Sequence, residues 1–578
     1  MSTCASTYLI RSTKIAATLL AALLVTALLV RAYAASATET KFIDVAASAG
    51  LNVPNLFGGR ETKTSILETT GTGVAIFDFD GDGSNDIFIV NGSVLGNAEP
   101  AARSQMYRND GKGHFTEEGE KAGLTQRGWG QAACVGDFNN DGHPDLLVTY
   151  YGHNVLYRNE GSGRFSDITQ AAGLPTDSKR WNSGCAFLDY DHDGYLDIFV
   201  ANYIDLGPDG SSTNSKLPKC DWKGITVMCG PHGLPLGRNI LYHNNRDGTF
   251  TDVSEKAGIL LPGGRYGLGV AVADFDNDGW PDIYVACDQT PSLLYRNKHD
   301  GTFEEVGDQA GVAYSADGQL QAGMGVAVGD FESKGFLGIA KTNFSGDKPS
   351  LYLNENGRFF EDISERAGLG KNQLLGWGIA FLDMDEDGWP DLLMANGHVY
   401  PEVDRSPIGE KFRQKTLLYR NLGNGRFVDV TNSAGAGFAT ARPARGLAVG
   451  DLDGDGRPEV VIVNMNEKPT LLKNIGARQN AIAVSLTGVK SNRSAIGARC
   501  FVENKGHRQM AEVTSGGSFY SHNSFTLYFG IAKAEEVERL EVLWPGGERQ
   551  TWSHVAANQT VAITEGKQQM AAKVWPRL

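Results

Sequence analysis

At 578 residues the chain is longer than one ordinary core requires, so a large repeat domain or several domains are expected. Charged residues make up 21%, too few and too interspersed with apolar ones for a disordered chain. A net charge of −15 argues against nucleic acid as a partner.

Arg11 and Lys14 precede an apolar run from Ile15 to Val30, and Ala32-Tyr33-Ala34 offers small residues for cleavage. That is the pattern of a signal peptide over residues 1–34. The run is shorter than the roughly twenty residues of a spanning helix, with retention as an anchor the alternative. No second apolar segment follows, so no membrane span is expected after cleavage. The chain is therefore expected to be secreted, periplasmic or on the cell surface. Cleavage removes Arg11, Lys14 and Arg31 and takes the net charge from −15 to −18.

Beyond the leader, 72 glycines, 19 tyrosines and no long helical periodicity point to short strands and tight turns. One phrase recurs seven times, beginning at Asp78, Asp137, Asp189, Asp274, Asp330, Asp383 and Asp451. Apolar runs flank each copy, which predicts a hairpin. A second phrase follows: a Leu-Tyr-Arg-Asn-like strand, a Gly-rich turn, then Phe-x-Asp. From its Tyr to its Phe is eight residues in five copies and seven in the copy Tyr352 to Phe359. Ser or Thr then opens a single helical turn closed by Gly, as in Thr169 to Gly173.

Each unit thus predicts four strands, and seven units predict an all-β, seven-bladed β-propeller over residues 42–475. The seventh unit ends at Asn474 without its Phe-x-Asp strand, while Phe42-Ile-Asp-Val45 carries that phrase alone at the other end. The N-terminal strand is expected to complete the last blade and remove the open edge. Alternating apolar and polar residues over 480–565 predict a small C-terminal antiparallel β domain, followed by a tail, 566–578.

The acidic phrase has the form DxDxDGxxD. Oxygens at positions 1, 3, 5 and 9 converge, Gly at 6 permits the bend, and the carbonyl of 7 adds another oxygen. This hard-oxygen set suits calcium, with no sulfur or imidazole to favour zinc. The candidate ligands of the first three loops are Asp78, Asp80, Asp82 and Asp86; Asp137, Asn139, Asp141 and Asp145; and Asp189, Asp191, Asp193 and Asp197. Those of the fourth, sixth and seventh are Asp274, Asp276, Asp278 and Asp282; Asp383, Asp385, Asp387 and Asp391; and Asp451, Asp453, Asp455 and Glu459. The fifth loop has Glu332, Lys334 and Gly338 at positions 3, 5 and 9, and is expected to hold no ion. About six structural calcium ions follow.

The seven units resemble FG-GAP/VCBS repeats, the calcium-binding blades of integrin α propellers. Lys490–Arg499, Ser515–Tyr520, Leu527–Gly530 and Val542–Gly547 resemble an ASPIC/UnbV domain. The combination is similar to the cartilage acidic protein family, which implies a binding or adhesion role.

In an up-down meander the first and third turns share one face and the second turn lies on the other. Position 9 to the following Tyr spans 12 to 14 residues in four units, but 21, 45 and 28 from Asp86, Asp197 and Asp391. These insertions, 92–104, 203–237 and 397–415, are the expected recognition loops for an extracellular protein or polysaccharide. Cys220 and Cys229 sit in the longest and are spaced for a disulfide, whereas Cys134, Cys185, Cys287 and Cys500 read as buried free thiols. No HExxH, GxSxG or P-loop pattern occurs, and neither His232 nor His398 reads as catalytic. The alternative is an exported sugar-processing lyase or hydrolase with its site in the central funnel.

Overall fold

The computed structural model describes residues 41–95, 102–178, 180–205, 219–371 and 374–576; the signal segment expected over 1–34 lies outside them. In the first repeat Val74–Phe77, Asp86–Ile89, Gln105–Asn109 and Phe115–Glu117 pair antiparallel in chain order. Phe77 faces Asp86 across the first hairpin and Asn109 faces Phe115 across the third. The first two strands are buried on both faces because neighbouring sheets pack on each side.

Seven such four-stranded sheets occur among the described residues of 42–474. Their first strands contact one another in a closed ring, the strand at Val74 touching both the one at Trp129 and the one at Ala444. The last sheet joins Ala444–Gly450, Glu459–Asn464 and Thr470–Asn474 to the N-terminal Phe42–Asp44, with Phe42 opposite Asn474. The chain is an all-β propeller whose ends meet in one blade.

One hairpin differs from the sequence expectation. Asn354 pairs with Phe360, which is 1% exposed, while Phe359 is 51% exposed. Tyr352 to Phe360 restores the eight-residue interval of the other copies, so the pleat selects the second phenylalanine.

The C-terminal region forms two further sheets. One holds Asn480–Thr487, Leu527–Ala532, Gln559–Thr564 and Ala571–Val574; the other holds Arg499–Asn504, His507–Glu512, Glu536–Leu543 and Arg549–Ala556. All pairings are antiparallel except Asn480–Thr487 with Gln559–Thr564, where the intervening second sheet supplies the crossover a parallel pair needs. The stretch set aside as a tail contributes the edge strand Ala571–Val574, and Trp575 buries against Ala481 and Ala483.

Between these sheets the chain enters the propeller's central channel. Ser515 and Phe519 to His522 are almost wholly buried, and backbone or side-chain hydrogen bonds reach the first strand of all seven repeats. Ile76 N–H donates to His522 O, Ala133 N–H to Tyr520 O, Val326 N–H to Ser518 O, and Ile379 N–H to Ser518 Oγ. Ser515 Oγ accepts from Phe187 N–H and donates to Val135 O. Gly517 N–H donates to Val270 O and Ser524 N–H to Val449 O. The inner edges of seven sheets would otherwise present unpaired groups, and this segment satisfies them. At Gly73 a Cβ would lie 1.6 Å from Tyr520 O, so only glycine admits the approach.

Candidate metal centres

Each acidic loop is built the same way. Positions 4 and 6 both take positive φ, as at Gly81 and Gly83 (76° and 85°) or Glu386 and Gly388 (58° and 93°). That double bend turns the amides of positions 5 and 6 onto the position-1 carboxylate: Asp387 and Gly388 N–H donate to Asp383 at 3.1 and 2.8 Å. Asp78, Asp137, Asp189 and Asp274 hold the same arrangement, and Asp451 accepts from Gly454 and Gly456. The position-5 acids Asp82, Asp141, Asp193, Asp278, Asp387 and Asp455 accept the amide of position 7.

The position-9 acids have a second task. Asp86, Asp145, Asp197, Asp282 and Asp391 each accept the position-2 amide on one oxygen and the amide of the third-strand Asn on the other. Glu459 accepts the Leu452 amide. These carboxylates tie loop to sheet while remaining beside the other acids of the loop.

Carboxylate oxygens within 4.8 Å of one another converge in Asp78–Asp80–Asp86, Asp189–Asp191–Asp197, Asp274–Asp276–Asp278 and Asp383–Asp385–Asp391. The position-3 atoms Asp191 Oδ1, Asp276 Oδ1 and Asp385 Oδ1 are buried and accept no hydrogen bond. Burial first, and neighbouring carboxylates next, push Asp189 up to about 8. Asp86 also rises to about 8, chiefly through burial. Asp145, Asp282 and Asp391 are driven well above the usual carboxylate range, again chiefly by burial. Orphaned hard oxygens in a cluster that resists ionisation fit a divalent cation, and no sulfur enters the set. Two imidazoles touch these clusters: His243 lies 3.2 Å from Asp197 Oδ1 and 3.4 Å from Asp191 Oδ2, and His299 Nε2 lies 2.6 Å from Asp278 Oδ2. In the second loop Asn139 donates to Asp141 at 2.8 Å. In the seventh Lys473 pairs with Asp453 and Asp455, and Arg478 with Asp455.

Sequence reading missed the cation behind each loop. The residue after the third-strand Tyr or its equivalent is Arg108, Arg158, His243, Arg296, Arg420 or Lys473 wherever the loop is acidic, and Leu353 in the fifth repeat. Arg108 meets Asp80 at 2.5 Å, Arg296 meets Asp276 at 3.2 Å and Arg420 meets Asp385 at 2.7 Å. Arg158 instead pairs with Glu160. Co-occurrence within the seven copies was the available signal.

The fifth loop keeps the turn without the ligand set: Asp330 accepts from Lys334 and Gly335, while Lys334 pairs with Glu332. A Cβ on Gly338 would meet the Phe331 ring at 2.4 Å, so aromatic packing occupies the space of the last carboxylate.

The C-terminal domain covers this loop face. Arg499 pairs with Asp274 and Glu512 and donates to Asn277 Oδ1 at 2.8 Å, and Glu512 accepts the Asp274 amide. Tyr528 OH accepts the Asp451 amide, Ser494 Oγ accepts the Asp137 amide, and Gln479 donates to Asp385 O. The funnel considered for a catalytic site is thus filled by residues 514–525 and roofed on this side.

On the opposite face the insertions do not all stand apart around the ring; those of the third and sixth repeats meet. Lys219–Trp222 and Ile225–Met228 form a hairpin closed by the Cys220–Cys229 disulfide. Trp222 reaches His398 at 4.8 Å and Tyr400 at 5.8 Å, and Lys223 pairs with Glu410 at 2.6 Å. His398 is buried with its Nδ1 accepting the Tyr400 amide; His232 is exposed. Residues 96–101 and 206–218 of the insertions lie outside the described residues.

The cysteine expectation needs one correction. Cys134 and Cys185 are bonded, with Cα atoms 6.0 Å apart, joining the first strands of the second and third repeats. Adjacent inner strands bring the two thiols face to face, a proximity that burial alone does not reveal. Cys287 and Cys500 are free and buried.

With this geometry established, residues 78–148, 137–200, 233–285, 274–340 and 412–462 match the FG-GAP-like repeat, and residues 488–570 match the ASPIC and UnbV family. The chain is an FG-GAP-repeat propeller with an ASPIC and UnbV domain. It is similar to cartilage acidic protein 1 of Xenopus tropicalis, 27% identical over 335 residues, covering 55% of this chain and 48% of the relative. It is also similar to integrin alpha-3 of Cricetulus griseus, 25% identical over 215 residues, covering 34% and 20%. The chain spans about half the length of the cartilage acidic protein it matches, or less in the integrin case. Among solved structures, a Bacillus licheniformis rhamnogalacturonan lyase aligns with TM-score 0.36 and 13% identity over 73% of this chain and 75% of that one.

Proposed function

We propose that this protein is an exported calcium-loaded propeller that binds an extracellular protein or polysaccharide through its insertion face. The observation that carries the reading is the division of labour between faces. The acidic loops lie under the C-terminal domain and the channel behind them is filled, so the long loops of the first, third and sixth repeats are the surface left for a partner. Similarity to cartilage acidic protein and to an integrin supports an extracellular role, and two disulfides suit an oxidising compartment.

In this reading calcium occupies every loop except the fifth, about six ions in all. The first, third, fourth and sixth loops bring their carboxylates together, and in the first, fourth, sixth and seventh calcium competes with basic side chains already paired to ligand acids: Arg108, Arg296 and Arg499, Arg420, and Lys473 and Arg478. The ions stabilise: they supply the charge that clustered acids lack and hold the surface on which the C-terminal domain sits.

The test is a binding screen of the calcium-loaded chain against extracellular polysaccharides and secreted proteins. It is repeated with residues 203–237 cut to the twelve-to-fourteen-residue spacing of the short repeats. Loss of binding with calcium content intact is expected; full binding by the shortened chain would move the site elsewhere.

A further inference from the structure

We propose that the cavity beneath the Cys220–Cys229 hairpin is a binding site for a small organic ammonium cation. This goes beyond the macromolecular partner proposed above and does not depend on it.

The cavity measures about 280 Å³ and lies where the second strands end, with the hairpin as its lid. Five aromatic residues, Tyr203, Trp222, Phe344, Trp377 and Tyr400, line it among aliphatic and polar neighbours, the carboxylate of Asp221 included. Trp377 also closes the inner end, its ring 4.8 Å from Phe519 of the channel segment. The cavity is therefore a closed-ended chamber at the channel mouth.

One charged group in its wall is nearly buried. Asp288 is 5% exposed; Oδ2 accepts from Tyr203 OH at 2.6 Å, and Oδ1 accepts no hydrogen bond. No Lys, Arg or His forms an ion pair with it among the described residues. Burial raises its carboxyl to about 6, which leaves it mainly ionised at neutral pH. An ionised carboxylate in an aromatic chamber, with an oxygen unsatisfied, is costly without a partner of opposite charge.

The ring set specifies the rest of the ligand. Aromatic faces attract ammonium groups, and alkylated ammonium, which loses little hydration on entry, is the form aromatic enclosures favour. Two of these rings already face protein cations: Lys223 lies 4.8 Å over Trp222, and the buried Arg445 guanidinium lies 4.2 Å over Trp377. An anionic ligand meets repulsion from Asp288, and a neutral one leaves its charge uncompensated. The occupant that answers both features carries one positive charge on a compact apolar body.

Titration calorimetry on the chain lacking residues 1–34, in millimolar calcium, tests this with choline and its neutral carbon isostere, in which a tert-butyl group replaces trimethylammonium. Choline is expected to bind, and the isostere to bind at least about tenfold more weakly. Asp288→Asn, which keeps the acceptor for Tyr203, should abolish that preference with calcium content unchanged. Trp222→Ala on the lid, expected to weaken choline several-fold, serves if the buried variant fails to fold. Absence of choline binding, equal binding of the isostere, or undiminished binding to Asp288→Asn would each overturn the proposal; the last two would leave only an apolar cavity.

Discussion

The side-chain amide of Asn109 donates to the carbonyl of Leu452 at 2.7 Å, joining residues 343 apart in sequence and linking the first repeat to the last. The same amide donates to Asn85 O at 2.7 Å. Every third-strand Asn repeats the link to the acidic loop of the preceding repeat: Asn159 to Phe79, Asn244 to Phe138, Asn297 to Tyr190, Asn354 to Phe275, Asn421 to Phe331 and Asn474 to Met384. The ring is stapled sheet to sheet through the turns that carry the acids.

Asn109→Ala removes both of these bonds, leaving two carbonyls short of a donor, and also the two that its Oδ1 accepts from the Gly111 and Gly113 amides. We expect a loss of about 2–4 kcal/mol, read by urea denaturation in calcium. Asn297→Ala, with the equivalent pair to Tyr190 and Pro281, should cost a similar amount. Unchanged stability in both would show that the staples are incidental.

Calcium removal should make stability fall as pH rises. Burial holds Asp137 and Asp451 at about 6 and Asp86 and Asp189 at about 8 in the metal-free fold, above the unfolded value near 4. The metal-free folded state then binds more protons than the unfolded state between those values, so its stability is present at low pH and lost as pH climbs toward 8. Chelated protein should melt lower at pH 8 than at pH 5. Calcium-loaded protein should not show that decline, because the ions compensate the ionised acids. Parallel pH profiles with and without chelator would contradict the reading.

How much of this was legible follows from where the determinants lie. The acidic turns and the strands around them recur seven times, so phase errors average out and even the split last repeat was readable. The segment around Ser515 to Asn523 was not, because its partners are backbone groups of strands hundreds of residues away and no side-chain period marks it. The Cys134–Cys185 bond depends on which inner strands are neighbours, and the Tyr352 hairpin on which of two adjacent phenylalanines turns inward.

Arg499 is the point where the C-terminal domain grips an acidic loop. Arg499→Met leaves Glu512 buried without its cation, and burial already raises Glu512 to about 7. The expected cost is about 3–5 kcal/mol at pH 8 and less at pH 5, where Glu512 takes a proton. Thermal or urea unfolding at both pH values checks it; a pH-independent loss would assign Arg499 a packing role alone.

Thiol counting tests the cysteine pairing. In the chain lacking residues 1–34, alkylation under native conditions should modify no cysteine, since Cys287 is buried with its thiol pushed up to about 12 and Cys500 is buried and raised further. Unfolding without reductant should expose two thiols, those of Cys287 and Cys500. Labelling of Cys134 or Cys185 would contradict the bond between them.

The most direct test of the account is a calcium count on the folded chain lacking residues 1–34. Protein dialysed against millimolar calcium and then analysed for metal should carry about six calcium ions and negligible zinc, and chelation should lower its melting temperature sharply. Fewer than three ions at saturating calcium, zinc in their place, or a melting temperature unmoved by chelator would contradict the account of the acidic loops as structural calcium sites.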